Sequence, residues 1–258
     1  MEGDNAARSP EHPKISSSWF KRAFGDLYPV VYAHRTVEAA RPEAQFAARM
    51  LALREADSLL DIGCGSGRHL IHLCDVCGHC SGLDYSPDLL AEAREQLGHN
   101  VLLVRADMRA IPFDATFDVV VNFFTSFGYF FAEEDNLKVI RELVRVLKPG
   151  GRYFIDYMNA KHARSTLKPS SSRTSEGYEI RETRWIDLAL RRVNKSTRVL
   201  KDGMEVEHTS ESVRLYEQEE FVSMLRGAGL SVDQCYGNYA GAPLSDDQPR
   251  MIVIGKKV

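Results

Sequence analysis

Short apolar runs alternate with helical stripes along most of the chain. Leu59, Leu60 and Ile62 around Asp61 form the first run, and residues 80–83, 101–104, 117–121 and 153–157 form four more. Each is too short for a helix and reads as a strand buried in a parallel sheet. Between them, residues 66–76, 87–97 and 135–147 repeat apolar positions every three or four residues, as amphipathic helices do. Ser86-Pro87-Asp88 supplies a capping serine and a first-turn proline, and Gly98 and Pro149-Gly150-Gly151 stop the helices they follow. Residues 219–227 add a final helix between the fifth strand and two further strands, 230–236 and 251–255. The pattern predicts an α/β fold with a doubly wound, mostly parallel seven-stranded sheet and helices on both faces.

Two regions depart from that alternation. Ahead of the first strand, Trp19, Phe20, Phe24, Tyr28, Val31 and Tyr32, then Val37, Phe46, Met50 and Leu53, recur at helical intervals. They predict two or three helices, a cap over residues 18–54, behind a polar tail over 1–17 that has little to bury and reads as disordered. After the fifth strand the period changes to two. Residues 178–186, 189–200 and 204–216 alternate, with Lys201-Asp202-Gly203 as the turn between the last two. This predicts a three-stranded antiparallel insertion, reached through an exposed linker or lid rich in Ser, Lys and Arg; linker and insertion span 161–216 within a domain of 55–258.

Composition narrows the function more than the fold. With 258 residues, 27% charged and 44% apolar, the chain has the balance of a globular protein with a sizeable core. A net charge of −3 gives no global pull toward nucleic acid, and no apolar run approaches a membrane span, so a cytoplasmic location is expected. Cys64, Cys74, Cys77, Cys80 and Cys235 are an odd number and argue for free thiols. Cys74-x-x-Cys77-x-x-Cys80 raises a metal reading, against which stands a helix-to-strand path that would point the three thiols apart; no metal is expected.

Candidate chemistry concentrates where the first run ends. Gly63-Cys64-Gly65-Ser66-Gly67 follows the strand at once, and a turn that tight requires positive φ and lets backbone N–H groups approach a polar or anionic ligand. The second strand ends in Asp84, seventeen residues past Gly67, a position that suits a carboxylate accepting from ribose hydroxyls. Asp107-Met108 follows the third strand and Asn122 ends the fourth. Asp61, Asp84, Asp107 and Asn122 therefore share one rim, at the strand ends where open α/β sheets bind ligands. A dinucleotide turn would need glycine where Arg68 stands.

These motifs closely resemble those of the class I S-adenosylmethionine-dependent methyltransferases, through Asp61 to Gly67, Gly82-Leu83-Asp84-Tyr85-Ser86, Ala106-Asp107-Met108 and Leu147-Lys148-Pro149-Gly150-Gly151. The resemblance implies S-adenosyl-L-methionine as cofactor and methyl transfer as reaction. It implies that Gly63, Cys64, Gly65 and Gly67 hold the methionine portion, Asp84 the ribose and Tyr85 an adenine face. Asp107 and Met108 would hold the adenine edge, with Asn122 near the methyl group. Tyr28, Tyr32, His34 and Arg35 of the cap become candidates for the methionine end or the acceptor. An antiparallel end to the sheet is implied as well.

The segment Asn122-Phe123-Phe124-Thr125-Ser126-Phe127-Gly128-Tyr129-Phe130-Phe131 is too aromatic for an ordinary solvated loop. It is similar to the corresponding segment of small-molecule N-methyltransferases, including deoxyaminosugar enzymes. Phe123, Phe127, Tyr129, Asn159, Arg184 and Arg250 are the candidate acceptor contacts. Methyl transfer needs a base only for an acceptor that arrives protonated, and His34, His69 and Tyr129 are weak candidates for one. The expected activity is N- or O-methylation of a small molecule, by a monomer or homodimer with no membrane or nucleic-acid partner. Methylation of RNA or protein, and cofactor binding without catalysis, are the alternatives.

Overall fold

The computed structural model describes residues 12–258. Most of the expected polar tail, residues 1–11, lies outside the described residues. Of its remainder, His12 stacks on Trp185 with ring centroids 4.7 Å apart, and Ile15 packs against the core. A short turn of helix, Trp19–Lys21, leads into α1 (Tyr28–Val31) and α2 (Val37–Met50). The Thr36 side chain caps α2 by accepting from the Ala39 amide at 3.1 Å.

The sheet begins with β1 (Ser58–Ile62), which continues through α3 (Leu70–Leu73) to β2 (His79–Asp84). Only four residues of the expected 66–76 helix are α-helical. His72 and Val76 donate to carbonyls three residues back, while Ile71, Leu73, Cys74 and Cys77 reach four, so the flanks tighten into turns. α4 (Pro87–Leu97), β3 (Leu102–Arg105), β4 (Phe117–Asn122), α5 (Glu133–Val146) and β5 (Leu147–Met158) follow. Then come α6 (Ala160–Thr166) and the insertion: β6 (Ser170–Ser175), β7 (Tyr178–Asp187), β8 (Arg192–Lys201) and β9 (Met204–Arg214). α7 (Gln218–Gly227), β10 (Gln234–Tyr236) and β11 (Arg250–Lys256) close the chain.

The large sheet has the order β10-β11-β5-β4-β1-β2-β3. β1 pairs in parallel with both β2 and β4, so the direction of winding reverses around it and a crevice opens at its C-terminal end. β11 runs antiparallel to β5 and β10 and supplies the antiparallel end. Because β1 is covered on both faces, Leu59 points to the side packed by α2 and α3, and Leu60 and Ile62 to the side packed by α5 and α7.

The insertion is a separate antiparallel sheet with one strand more than expected, in the order β6-β7-β8-β9. The added strand, Ser-Ser-Ser-Arg-Thr-Ser, has no apolar alternation to announce it. It forms because Glu176 and Gly177, both at positive φ (50° and 78°), make a tight turn that folds it onto β7. Cys77 Sγ donates to Asp57 O at 2.8 Å and Cys80 Sγ to Cys77 O at 3.5 Å, and the nearby Cys74 and Cys77 thiols together with burial push the Cys80 pKa up. Among the described residues no group of three or more His, Cys, Asp or Glu could hold a metal ion.

Candidate active site

A cavity of about 510 Å³ opens over the C-terminal ends of β1, β2 and β4. Its floor is the glycine turn, where Leu83 O accepts from the amides of Gly63 (2.7 Å) and Cys64 (3.0 Å) and pins the turn to β2. Gly63 has φ +76°, and a Cβ there would come within 2.8 Å of Ser126 Cβ, so glycine is required twice over. Gly63, Cys64 and Gly65 line the cavity. Gly67 lies beneath it, where a Cβ would meet Leu97 at 2.7 Å, and serves to seat the turn on α4.

Asp84, Tyr85, Asp107 and Met108 also line the cavity. The Asp84 carboxylate accepts from Gly65 N at 2.8 Å and Ser86 N at 2.9 Å; burial raises its pKa and these amides offset part of the rise. Burial pulls Asp107 upward too, but the fork of Arg109, at 2.7 Å, outweighs it and holds this carboxyl below its usual range. Asn122 is buried outside the cavity lining, donating from Nδ2 to Ile62 O at 2.6 Å.

Asn122 Oδ1 and both carboxylate oxygens of Asp61 are buried without a hydrogen-bond partner among the described residues. Acceptors left without a donor beside the glycine turn fit a ligand that carries an ammonium group. The amino-acid end of S-adenosylmethionine carries one, and the carboxylate at the tip of β2 suits its ribose.

The far end of the cavity is built by the N-terminal cap, the loop after β4 and the insertion. Arg35 donates to Tyr28 OH at 2.8 Å and lies 3.7 Å from the Tyr32 ring centroid, and its Nε has no partner among the described residues. Arg35, Arg68 and Arg250 surround the Phe124 ring at 4.7, 4.7 and 5.1 Å. Arg68 is paired with Glu43 and Arg250 with Asp156, whereas Arg35 has no carboxylate within ion-pair distance among the described residues. Phe124 and Thr125 hold positive φ (56° and 65°), a strained path that fully buried Asp156 sustains. Asp156 accepts from Phe124 N through its side chain at 2.8 Å and from Thr125 N through its backbone at 2.9 Å. Tyr32 OH donates to Glu211 of β9, and Lys195 of β8 sits 2.8 Å from the same carboxylate. Burial pulls the Glu211 pKa upward, but Lys195, the Tyr32 hydroxyl and Arg35 together outweigh it and lower it.

His69 lines the cavity, with Nε2 2.6 Å from Glu43 and its ring stacked on Phe123 at 4.1 Å. Burial pushes its pKa down to about 4, so the ring is neutral at physiological pH. Tyr129 lines the cavity with a phenol that burial raises far above its ordinary range. His34, its pKa lowered by burial and by Arg35, lies outside the lining.

Three expected acceptor contacts are elsewhere. Phe127 is buried among Tyr157, Tyr216 and Phe221, because the chain turns its ring into the core while Phe123 and Tyr129 face the cavity. Asn159 caps α6 and donates to Ser245 O and Gln248 O. Arg184 is taken up by Glu182 and Ser171 within the insertion. Tyr32, Arg35, Phe123 and Arg250 do line the cavity. Sequence reasoning missed Arg68, Phe124, Ser126 and Glu211. Phe124 and Ser126 lay within a flagged aromatic segment. Glu211 had no signal of its own, since an acidic residue in an alternating strand reads as a solvated face.

Sheet order and glycine turn together define a doubly wound α/β fold with a cleft, edged by Asp84 and Asp107, where the strand order reverses. Residues 59–151 match a family model described as a methyltransferase domain. The dTDP-3-amino-3,4,6-trideoxy-alpha-D-glucopyranose N,N-dimethyltransferase of Streptomyces venezuelae is 29% identical over 237 residues, 85% of this chain and 94% of that protein. The cypemycin N-terminal methyltransferase of a Streptomyces species is 27% identical over 88% of this chain and 97% of its own. The solved CcbJ methyltransferase of Streptomyces caelestis superposes with a TM-score of 0.77 at 19% identity, covering 92% of this chain and 99% of that one. Residues 59–151 thus carry a methyltransferase domain, and most of the chain is similar to S-adenosylmethionine-dependent methyltransferases and shares their fold. Among the described residues no helix is long and apolar enough to cross a membrane.

Proposed function

We propose that this methyltransferase transfers the methyl group to a primary amine on a small, sugar-like acceptor. The observation that carries the reading is the far end of the cavity. There Tyr28, Tyr32, Tyr129, Phe124 and Glu211 combine aromatic faces, phenols and one carboxylate in a partly enclosed space, a lining suited to an amine set among hydroxyls. Two relatives of nearly full coverage carry amine acceptors in their names, one an amino sugar and one a peptide N-terminus.

S-adenosylmethionine supplies an electrophilic methyl group on a sulfonium. The chain's part is to bind, orient and dry the reactants. Gly63 to Gly65 and Asp61 receive the amino-acid end, Arg35 its carboxylate, and Asp84, Tyr85, Asp107 and Met108 the nucleoside. Phe123, Phe124 and Tyr129 exclude water around the methyl group, and Tyr28, Tyr32 and Glu211 hold the amine on the line of attack. The acceptor has to enter as the free amine, whose lone pair takes the methyl group, and the resulting ammonium gives up its proton to solvent. His69, held neutral with Nε2 on Glu43, is not required as a base.

We place the enzyme in the cytoplasm, a reading that the free thiols support, as a monomer or homodimer acting on small acceptors. We divide it into a cap over 18–54 and a methyltransferase domain over 55–258 that carries the insertion within 161–216.

Calorimetric titration with S-adenosylmethionine and S-adenosylhomocysteine tests the cofactor half. Asp84→Ala is expected to weaken both by about tenfold or more, roughly 1.4 kcal/mol. The acceptor half is tested by S-adenosylhomocysteine release with dTDP-3-amino-3,4,6-trideoxy-α-D-glucopyranose beside short peptides with free N-termini. Release with the amino sugar supports the reading, release with peptides alone transfers it to a peptide amine, and release only with hydroxyl compounds overturns it.

A further inference from the structure

Arg192, on β8, is 2% exposed, yet no carboxylate lies within ion-pair distance of it among the described residues. Its guanidinium spends its donors on backbone. Nη1 donates to Phe130 O at 2.9 Å, and Nη2 donates to Tyr129 O at 2.9 Å, Gly128 O at 3.2 Å and Ser212 O at 2.7 Å. Nε donates to Ser212 Oγ at 2.7 Å, and that hydroxyl donates on to Asn194 Oδ1 at 2.6 Å. Phe131 lies under the guanidinium with its centroid 4.2 Å away.

A buried cation without a counter-charge is costly, and an apolar side chain would fill the space at less expense. What a guanidinium adds is a rigid fork, here aimed at three successive carbonyls. Those carbonyls belong to the loop that turns Tyr129 and Phe130 toward the cavity. Other bonds pin the same stretch: Arg214 N donates to Gly128 O at 2.9 Å and the Trp19 indole to Tyr129 O at 3.4 Å. A Cβ on Gly128 would come within 2.7 Å of Tyr157 OH, so the loop has little room to shift.

We propose that Arg192 is a positioning residue, through which the insertion fixes the acceptor wall of the active site as well as covering it. The catalytic readout rests on the function proposed above; the structural readout does not.

The test compares wild type with Arg192→Lys, which keeps the charge and loses the fork, and with Ser212→Ala, which leaves Arg192 in place but removes the partner of Nε. Folding is checked by melting temperature, loop order by hydrogen–deuterium exchange over residues 126–131, and cofactor binding by calorimetry. Turnover is measured with dTDP-3-amino-3,4,6-trideoxy-α-D-glucopyranose. In Arg192→Lys, exchange in the loop is expected to rise about tenfold or more while the sheet stays protected. Cofactor affinity stays within about twofold, and kcat falls about ten- to a hundredfold, the scale set by ångström misplacement of a reactant. Ser212→Ala shifts both in the same direction by less, and it decides the matter if Arg192→Lys does not fold. Unchanged loop exchange, or a loss of kcat matched by an equal loss of cofactor affinity, overturns the proposal. If wild type does not methylate this probe, the acceptor assignment fails, and loop exchange with cofactor affinity still decides the role of Arg192.

Discussion

Asp61 stands between Leu60 and Ile62 on the central strand, with both carboxylate oxygens buried and no donor to accept from among the described residues. Burial, aided by the charge of Asp84, pushes its pKa up to about 8, above the ordinary carboxylate range. The neutral acid is therefore the form the fold favours. That stabilisation is complete below the unfolded carboxyl range and is lost as pH rises through about 8. An ammonium group bound beside the glycine turn would favour the ionised form instead. Binding of S-adenosylmethionine near pH 7 is thus expected to release up to about one proton per site. Calorimetry in two buffers of different ionisation enthalpy measures it. Equal apparent enthalpies in wild type would refute the linkage, and Asp61→Asn should abolish the difference.

The same residue marks how far a sequence reading reaches. Asp61, Gly63 and Gly65 were legible because their neighbours in sequence are also their neighbours in space, and Asp84 because it ends the strand that pairs with theirs. Glu211 and Arg192 were not, because each acquires its role from residues far away in the chain: Tyr32 for the first and the carbonyls of Gly128 to Phe130 for the second. Nothing local distinguishes an arginine that clamps a loop from one that faces solvent.

Among the elements, α4 shows what a legible start signal does. Ser86 Oγ accepts from Leu89 N at 3.2 Å, as its place before Pro87 predicted, and also donates to Phe24 O at 2.8 Å, tying the cap to the sheet. Ser86→Ala is expected to cost about 1 kcal/mol or somewhat more, read as a lower urea midpoint at constant slope. A larger effect belongs to α7, whose Phe221 is fully buried against Phe127, Tyr157 and Tyr216. Phe221→Ala should lose about 3–5 kcal/mol in the same experiment, while a loss below 1 kcal/mol would mean that the aromatic cluster closes around the gap. Strands of the large sheet were readable as apolar runs, since burial on both faces leaves that signature. β6 was not, because a polar strand held by one neighbour and a tight turn has no periodic burial to reveal it.

For the whole molecule, the decisive contact joins cap and insertion across the mouth of the cavity. Tyr32 donates to Glu211, Lys195 reaches both, and Arg173 of β6 donates to Val31 O at 2.5 Å. Tyr32→Phe removes a hydrogen bond between bodies far apart in sequence without removing the ring. Stopped-flow measurement should find S-adenosylmethionine dissociating about two- to tenfold faster, with association little changed, since a net hydrogen bond contributes about 0.5–1.5 kcal/mol. An unchanged dissociation rate would mean that this contact does not retain the cofactor.

The insertion enters after β5 and returns before α7, so none of its strands pairs with the large sheet that carries the cofactor rim. Descendants of such an enzyme can rewrite the hairpins, and with them the choice of acceptor, while the cofactor machinery is inherited intact. The clamp from Arg192 sets the limit on that freedom. A lineage that exchanges β8 must supply another donor for the three carbonyls of the aromatic loop, or accept a new acceptor wall together with its new cover.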